Sequence, residues 1–484
     1  MKLLFVQDNA INESLALMEL SAYLKAHGHR TDLLIEREEK DLFSRIDAIG
    51  PDHFLVPASI LAHNWFMNMC ARLKDRYPEK KVIVAGTHPT FYPDIISFPP
   101  IDIICLGEAE ESVLELCDCL ETGAPIHSVK NLWVKENGKV FKNPLRDLLE
   151  DLDSIPLPDR GLYYDRYASA RDFEWKKFMS GRGCFHSCAY CYQPVFRNLY
   201  RNHGRYIRRK SPERVVEEVR FVADRYPIRI AHFSDDLFIT DLGWLERFEQ
   251  AYRRKLALPF SCNSSVEFID EKAVACLARA GCRSIAIGIE TGVEEQRWRI
   301  LNKRISNEDI IRVARLIKRA GIQLVTFNML ANPGETFEDA LETLKINVRI
   351  EADYARVNFC FPIPGTSLAS YSVEKGYLPP DYGKSIYDFK DLGEDSARPC
   401  LPVPDPDRLA NLYSLFNWAV RFPSLLPLVE RLVRLPSNPL FRAAGFIQLY
   451  LEKKIAGLRW LNCYRYYRHV GSPSRRTTNF VPFV

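Results

Sequence analysis

Within the first 108 residues, five apolar runs of strand length alternate with stretches of helical periodicity, and few folds accommodate that order. The runs are LLFVQD (3–8), TDLLIE (31–36), HFLVPAS (53–59), VIVAG (82–86) and DIICLGE (102–108). Between them, ESLALMELSAYLKAHG (13–28) and NWFMNMCARLKDRYP (64–78) space their apolar residues near the helical period. Strands that are apolar throughout, each followed by a helix, imply a parallel sheet covered on both faces. Sheets of this kind bind ligands beyond the carboxyl ends of their strands.

At those ends the residues are small or hydroxylated. Ser59 opens SIL (59–61), Gly86 and Thr87 lie in AGTHPTFYP (85–93), and Gly107 and Glu108 begin GEAEES (107–112). Two readings fit them. Either small residues let backbone approach a bulky ligand while Ser and Thr donate hydrogen bonds, or the glycines only permit tight turns. His88 beside them reads as a loop hydrogen-bonder.

A chain of 484 residues exceeds one compact core, so two or three domains are expected. The first is read as residues 1–150. DLDSIPLPDRGLYYDRY (151–167) then reads as part of a linker, 151–170, in which Pro156 and Pro158 argue for an extended path across the surface. Thirteen cysteines, an odd number in a large chain, do not form a secreted disulfide framework. The amino-terminal run lacks a signal-peptide pattern, and no uncharged apolar run approaches membrane-spanning length. A reduced, cytoplasmic setting is expected.

Residues 171–370 repeat the βα alternation around a different feature, KKFMSGRGCFHSCAYCYQP (176–194), with thiols at Cys184, Cys188 and Cys191 and no fourth nearby. Three readings are open. The cysteines are inert, or they bind zinc with His186, or they hold three irons of a cubane cluster whose fourth iron stays free for another ligand. Gly181 and Gly183 free the backbone to wrap such a cluster. Further strands are expected in IRIAHFSDDLFI (228–239), LPFSCNSSVEF (258–268), AGCRSIAIGIETG (280–292), AGIQLVTFNMLANPGETFEDALETL (320–344) and YARVNFCFPIPGT (354–366). Ser234, Asp235, Asp236, Glu290 and Asn332 fall at or just beyond strand ends.

The Cys-x-x-x-Cys-x-aromatic-Cys spacing resembles the signature of the radical S-adenosylmethionine (SAM) superfamily. The resemblance implies that Cys184, Cys188 and Cys191 hold a [4Fe–4S] cluster whose fourth iron chelates SAM. One-electron cleavage would then give a 5′-deoxyadenosyl radical. It further implies cofactor contacts from Tyr190, from Ser234, Asp235 and Asp236 toward the SAM ammonium, and from Glu290 in a GIES-like motif. Relatives carry an arginine on the third strand for the SAM carboxylate. Here that place is Ser264–Ser265, so Asn332 is expected to supply a donor.

The front domain resembles the cobalamin (B12)-binding module that precedes the barrel in many radical enzymes. That module carries Ser-x-Leu after its third strand, matched by Ser59–Leu61, and Gly-Gly after its fourth, of which only Gly86 remains. Its Asp-x-His-x-x-Gly signature is absent, so the resemblance implies a corrinoid without a protein histidine ligand. The expected corrinoid contacts are Ser59, Gly86, Thr87, Gly107 and Glu108.

The fold class implied is α/β: a Rossmann-like (flavodoxin-like) cobalamin-binding domain, a partial (β/α)6 radical SAM barrel, and a helical carboxyl-terminal region, 371–484. From Arg421 the tail carries a net +9, against −5 for residues 1–420. It reads as a helical cap, or as a segment lying on the inner face of a membrane. Nucleic acid is a third reading, supported only by basic and aromatic composition; no recognised tRNA-binding module is visible, and nucleic acid is not an expected partner. The implied activity is radical SAM chemistry at an unactivated carbon, with methyl transfer from cobalamin as the leading form. Expected partners are a small-molecule or lipid-like substrate and an electron donor such as flavodoxin or ferredoxin. Cyclisation or rearrangement without cobalamin, and a non-catalytic corrinoid or iron–sulfur sensor, are the alternatives.

Overall fold

The computed structural model describes residues 1–10, 13–383, 399–436 and 439–447 apart from 442 and 446. Five parallel strands begin the first sheet: β1 (Lys2–Gln7), β2 (Arg30–Ile35), β3 (His53–Pro57), β4 (Val82–Ala85) and β5 (Ile103–Cys105). Their order is β2-β1-β3-β4-β5, the flavodoxin-like arrangement. Leu3, Phe5 and Leu33 face one buried layer and Leu4, Val6 and Leu34 the other. Helices α1 (Leu15–Ala26) and α5 (Glu110–Thr122) cover the first layer. Helices α2 (Leu42–Ile49) and α3 (His63–Arg76) cover the second, and α4 (Thr87–Phe91) is a short turn after β4.

The sheet is wider than the βα alternation predicts. Strands β6 (Leu132–Glu136) and β7 (Lys139–Lys142) extend it antiparallel. Asn137 and Gly138 join them, with φ of 48° and 75°. A two-residue turn with both φ positive matches strand twist, and Asn-Gly is its strongest local signal.

The segment between the domains is not an extended surface path. Its helices α6 (Gly161–Tyr164) and α7 (Ala168–Arg171) are wedged between the two sheets, with Arg160, Tyr163 and Tyr164 fully buried. Tyrosine allows this because its ring packs while its hydroxyl finds a partner. Tyr163 donates to Gln7 Oε1, and Tyr167 accepts from the Ile35 N–H. Arg160 pairs with Glu218 at 2.8 Å. A single apolar cluster runs through this wedge from Leu3 to Val433.

Beyond the wedge, β8 (Trp175–Phe178) leads into a small antiparallel pair, β9 (Gly181–Arg182) and β10 (Arg208–Arg209), with α8 (Gln193–Leu199) between them. Strands β11 (Ile230–Phe233), β12 (Phe260–Ser264), β13 (Cys282–Glu290), β14 (Gln323–Leu330) and β15 (Tyr354–Phe359) follow. With β8 they make a six-stranded, wholly parallel half-barrel in the order β8-β11-β12-β13-β14-β15. Helices α9 (Pro212–Ala223), α10 (Leu242–Lys255), α11 (Glu271–Ala280), α12 (Glu294–Arg299), α13 (Asn307–Arg319) and α14 (Phe337–Arg349) connect the strands. The start of each main helix is written in the sequence. Ser211, Asp241, Asp270, Ser306 and Thr336 all accept a first-turn N–H, and Thr336 with Asp339 forms a capping box.

After β15 come α15 (Ser367–Glu374), α16 (Pro406–Arg421) and α17 (Leu426–Leu432). Helix α16 packs on α14 and on the edge strand β15. Asn417 there takes the Ala355 N–H at 2.9 Å and donates to the Ala355 carbonyl at 2.8 Å. The side-chain amide thus stands in for a neighbouring strand at an edge that would otherwise be unpaired. No helix among the described residues is long and apolar enough to cross a membrane. Most of the basic tail read as a cap or membrane segment lies outside the described residues.

Candidate active site

The cysteine loop is built around close backbone approach. A Cβ on Gly181 would meet the Arg208 carbonyl at 2.7 Å, and one on Gly183, whose φ is +96°, the Tyr206 carbonyl at 2.7 Å. Both glycines are therefore required by the β9–β10 crossing. Arg197 of α8 then holds the loop from within. Its guanidinium donates to the carbonyls of Cys184 (3.1 Å), Phe185 (2.7 Å) and His186 (3.2 Å) and to Ser187 Oγ (2.6 Å).

Cys184 and Cys188 are buried, and burial pushes the Cys184 and Cys191 thiols up to about 11 and about 12. The Gln193 N–H points at Cys191 Sγ, 3.4 Å away. His186 Nε2 lies 3.5 Å from Glu267. Among the described residues no three Cys, His, Asp or Glu converge on a single-ion point. The donor set is three sulfurs on one clamped loop, with an amide hydrogen on one of them. That suits an iron–sulfur cluster, and zinc closed by His186 does not fit it.

Glu290 ends β13 in a left-handed conformation, φ +67°, where the β13–β14 register slips. A non-glycine residue held there carries about 1–3 kcal/mol of strain, and the slip re-aims its side chain. Its Oε1 accepts the Tyr190 hydroxyl at 2.8 Å and the Lys303 ammonium at 2.8 Å. Gly288 makes this arrangement possible, since a Cβ there would overlap both Glu290 Oε1 and Lys303 Nζ. Tyr190 thereby links the cysteine loop to the fourth barrel strand. Sequence reasoning missed Lys303, which lies thirteen residues on with no strand or helix period to flag it.

The other expected SAM-side residues divide by contact. Asp235 is buried and spent on the loop. It accepts the Ser180 N–H at 2.9 Å and the Ser180 hydroxyl at 2.6 Å. Its neighbour Asp236 reaches solvent and accepts from Gln193 Nε2. Protein on its other sides, and then the Asp235 charge, push the Asp236 carboxyl up to about 6. Ser234 is half-buried beside them. Asn332 is buried in the NPGE turn, where its side-chain amide donates to the Met329 carbonyl at 3.1 Å and to Glu335 at 3.3 Å. Its Oδ1 has no hydrogen-bond partner.

The carboxyl ends of the first sheet's strands face this loop. Phe91, at the end of α4, stacks on Tyr192 with centroids 4.1 Å apart and planes 7° from parallel. Gly86 (φ +120°) and Thr87 are exposed at the end of β4, and Ser59 is half-exposed after β3. A Cβ on Gly86 would meet the Ala58 carbonyl at 2.7 Å, so the β3 and β4 ends press together there. This surface of small residues fits a broad, flat ligand.

The β5 end is used differently. Tyr200, just past α8, fills the space over Gly107 so closely that no Cβ fits. Glu108 is ion-paired with Arg208 at 2.6 Å and Arg182 at 3.0 Å. Arg182 also meets Glu19 at 2.7 Å and Glu110 at 2.6 Å, while Lys210 joins Glu19 at 2.9 Å to Glu218 at 3.0 Å. Arg182 stands two residues before Cys184. The cysteine loop is thus anchored directly in the front domain.

Comparison with known proteins agrees with both halves. Residues 2–117 match the B12 binding domain model, and residues 178–346 match the radical SAM superfamily model. An uncharacterized methyltransferase of Pyrococcus horikoshii is 30% identical over 304 residues, which cover 61% of this chain and 64% of that protein. The chain therefore spans just under two thirds of that relative. The cytidylyl-2-hydroxyethylphosphonate methyltransferase of Streptomyces wedmorensis is 23% identical over 397 residues, 72% of this chain and 71% of that one.

Among solved structures, the radical SAM methyltransferase TsrM of Kitasatospora setae, with cobalamin and a [4Fe–4S] cluster bound, superposes with a TM-score of 0.68. It is 15% identical, over 94% of this chain and 99% of its own. The cobalamin-dependent SAM radical enzyme OxsB, with aqua-cobalamin and SAM bound, gives 0.68 at 13% identity over 97% and 75%. These two share the fold. A radical SAM domain takes a [4Fe–4S] cluster and SAM, and a B12 binding domain takes cobalamin. The chain thus carries a B12 binding domain followed by a radical SAM domain.

Proposed function

We propose that this protein is a cobalamin-dependent radical SAM methyltransferase acting on an unactivated carbon of a small molecule. One observation carries the reading: the cysteine loop lies between the carboxyl ends of two parallel sheets, anchored to the first by Arg182 and to the second by Tyr190. Cofactors bound at the two sheet ends would share one space. The methyltransferase names of the two curated relatives support the same class.

In this reading Cys184, Cys188 and Cys191 hold the cluster, and Tyr190, Ser234, Asp236 and Glu290 surround bound SAM. Ser59, Gly86 and Thr87 meet the corrinoid. Gly107, Glu108, Asp235 and Asn332 act one step back, fixing the domain contact, the Ser180 turn and the turn after β14. When bound, the cluster would supply the electron for SAM cleavage and the corrinoid would carry the methyl group. The protein's share is to bind, orient and exclude water. Lys303 and Tyr190 fix the Glu290 carboxylate, Asp236 offers an acceptor for a cationic amine, and the Phe91–Tyr192 stack walls the space. An electron donor such as flavodoxin or ferredoxin completes the cycle. Exposed Phe422, Leu428 and Leu435 beside the basic tail support peripheral contact with the inner face of a membrane.

The test uses protein purified without oxygen and supplied with cluster and corrinoid. Corrinoid absorption bands, with both 5′-deoxyadenosine and S-adenosylhomocysteine formed from SAM under strong reductant, are expected. Deoxyadenosine alone, without bound corrinoid, would leave a radical enzyme of the cyclising or rearranging kind. Absence of SAM cleavage would leave a sensor.

A further inference from the structure

The stretch of loop that carries Cys188 is paired with the chain leading to Lys303. The Ala189 N–H donates to the Leu301 carbonyl at 2.9 Å, and Asn302 Nδ2 donates to the Ser187 carbonyl at 2.7 Å. Cys188 is thus flanked on both sides by contacts to residues 301 and 302, and Lys303 comes next. The Lys303 backbone N–H is tied to the Arg297 carbonyl at 2.9 Å. Its ammonium meets Glu290 Oε1, which also accepts the Tyr190 hydroxyl, each at 2.8 Å. Lys303 and Tyr190 therefore share one oxygen, and Tyr190 is two residues from Cys188.

The surroundings make these charges count. Ala189, Leu301, Cys360 and Leu368 form an apolar cluster of their own, against which Tyr190, Ile300 and Met329 pack. Lys303 and Glu290 are both buried next to it. Solvent screens charges poorly in such a setting. Of the charges acting on the Cys188 sulfur, Lys303 is the strongest, ahead of Glu290 and Glu267. Glu267 is exposed, beside His186 and Ser265, so water and salt screen it. At the middle cysteine the positive member of the buried pair dominates.

We propose that the Lys303–Glu290 pair sets the reduction potential of the cluster that Cys184, Cys188 and Cys191 would hold. This rests on the cysteine loop being the cluster site of the reaction proposed above. One electron from a reductant adds a negative charge to a centre already made anionic by three thiolates. A fixed positive charge nearby favours that reduced state, and a carboxylate opposes it. Lys303 thus makes the centre easier to reduce, and Glu290 limits the gain. Neither residue needs to ligate iron to do so. Both are positioning residues that act on the cluster through space.

The test is a redox titration of full-length protein, reconstituted with iron and sulfide without oxygen and without SAM. Titanium(III) citrate is the reductant, the paramagnetic resonance of the reduced cluster is the readout, and no turnover is needed. At the wild-type midpoint potential, the ratio of reduced to oxidised cluster should fall at least about tenfold in Lys303→Met, about 59 mV for one electron. Glu290→Gln should raise that ratio, Lys303→Arg should hold it, and Glu267→Gln should move it little. In the Glu290→Gln background, Lys303→Met leaves no uncompensated charge, so its downward step there tests the lysine even where the single variant is unstable. Iron content shows which variants carry the cluster. A loop that had merely loosened would move both single variants in the same direction. That outcome, or unmoved midpoints in both, overturns the proposal. Deoxyadenosine formation by the same wild-type preparation is scored separately. Shifts of opposite sign without SAM cleavage would sink the enzymatic reading alone, and cleavage with unmoved midpoints would sink this one alone.

Discussion

Gly288 and Glu290 occupy the same small volume: the carboxylate folds back over the glycine, where a methyl group would strike both Glu290 Oε1 and its partner Lys303 Nζ. Gly288→Ala should therefore displace the ion pair rather than merely crowd it. Overpacking of this sort costs about 1–3 kcal/mol. Denaturant unfolding should show that loss, and equilibrium dialysis should show weaker SAM binding with iron content unchanged. SAM affinity equal to wild type would refute the link.

Lys303→Met leaves the Glu290 carboxylate buried with only the Tyr190 hydroxyl. Removing one partner of a buried ion pair costs about 3–5 kcal/mol. The double variant Glu290→Gln with Lys303→Met should recover much of that stability, because no uncompensated charge remains. A double variant no more stable than Lys303→Met would mean that the pair is not coupled in this way.

Acid stability should report the domain contact. Burial alone would raise the Glu19 carboxyl, but Lys210 and Arg182 outweigh it and hold the group near 2, against 4.5 for the free side chain. A depressed folded-state value adds stability that is complete above pH 4.5 and is lost as the pH falls through 2. The size is about 3 kcal/mol. Unfolding free energy measured from pH 6 to pH 2 should fall, and Glu19→Gln should flatten that limb.

Arg197 grips four oxygens of the cysteine loop, and a lysine cannot reproduce that fork. Arg197→Lys should keep the far-UV circular dichroism of the wild type but retain less iron after reconstitution and desalting. Full iron occupancy in the variant would show that the loop holds its shape unaided.

What was legible in the sequence is what depends on neighbours in the chain. The eleven parallel strands follow from local apolar runs, helix starts from capping residues, and the shared loop of the three cysteines from their spacing. Glu290 was legible as a strand-end carboxylate. The Asn137–Gly138 hairpin was legible too, but an alternation read only for parallel units passed over it. Arg182 with Glu19 and Glu110 was not, because the partners lie 163 and 72 residues away with no periodicity between them. The same blindness made Gly107 and Glu108 look like ligand residues, when Tyr200 and two arginines occupy them. A glycine needed for a ligand and one needed for a neighbouring ring have the same local sequence.

The buried wedge bears on how such a chain could be cut or recombined. Tyr163 and Tyr167 reach back to Gln7 and Ile35, while Arg160 reaches forward to Glu218 and the Lys177 carbonyl. Residues 151–171 are thus keystone rather than tether, shared by both neighbours and owned by neither. A chimera joined on either side of them would strip one partner of its inner lining. A graft that keeps both inner linings intact must therefore carry the wedge, Glu19 and Arg182 together.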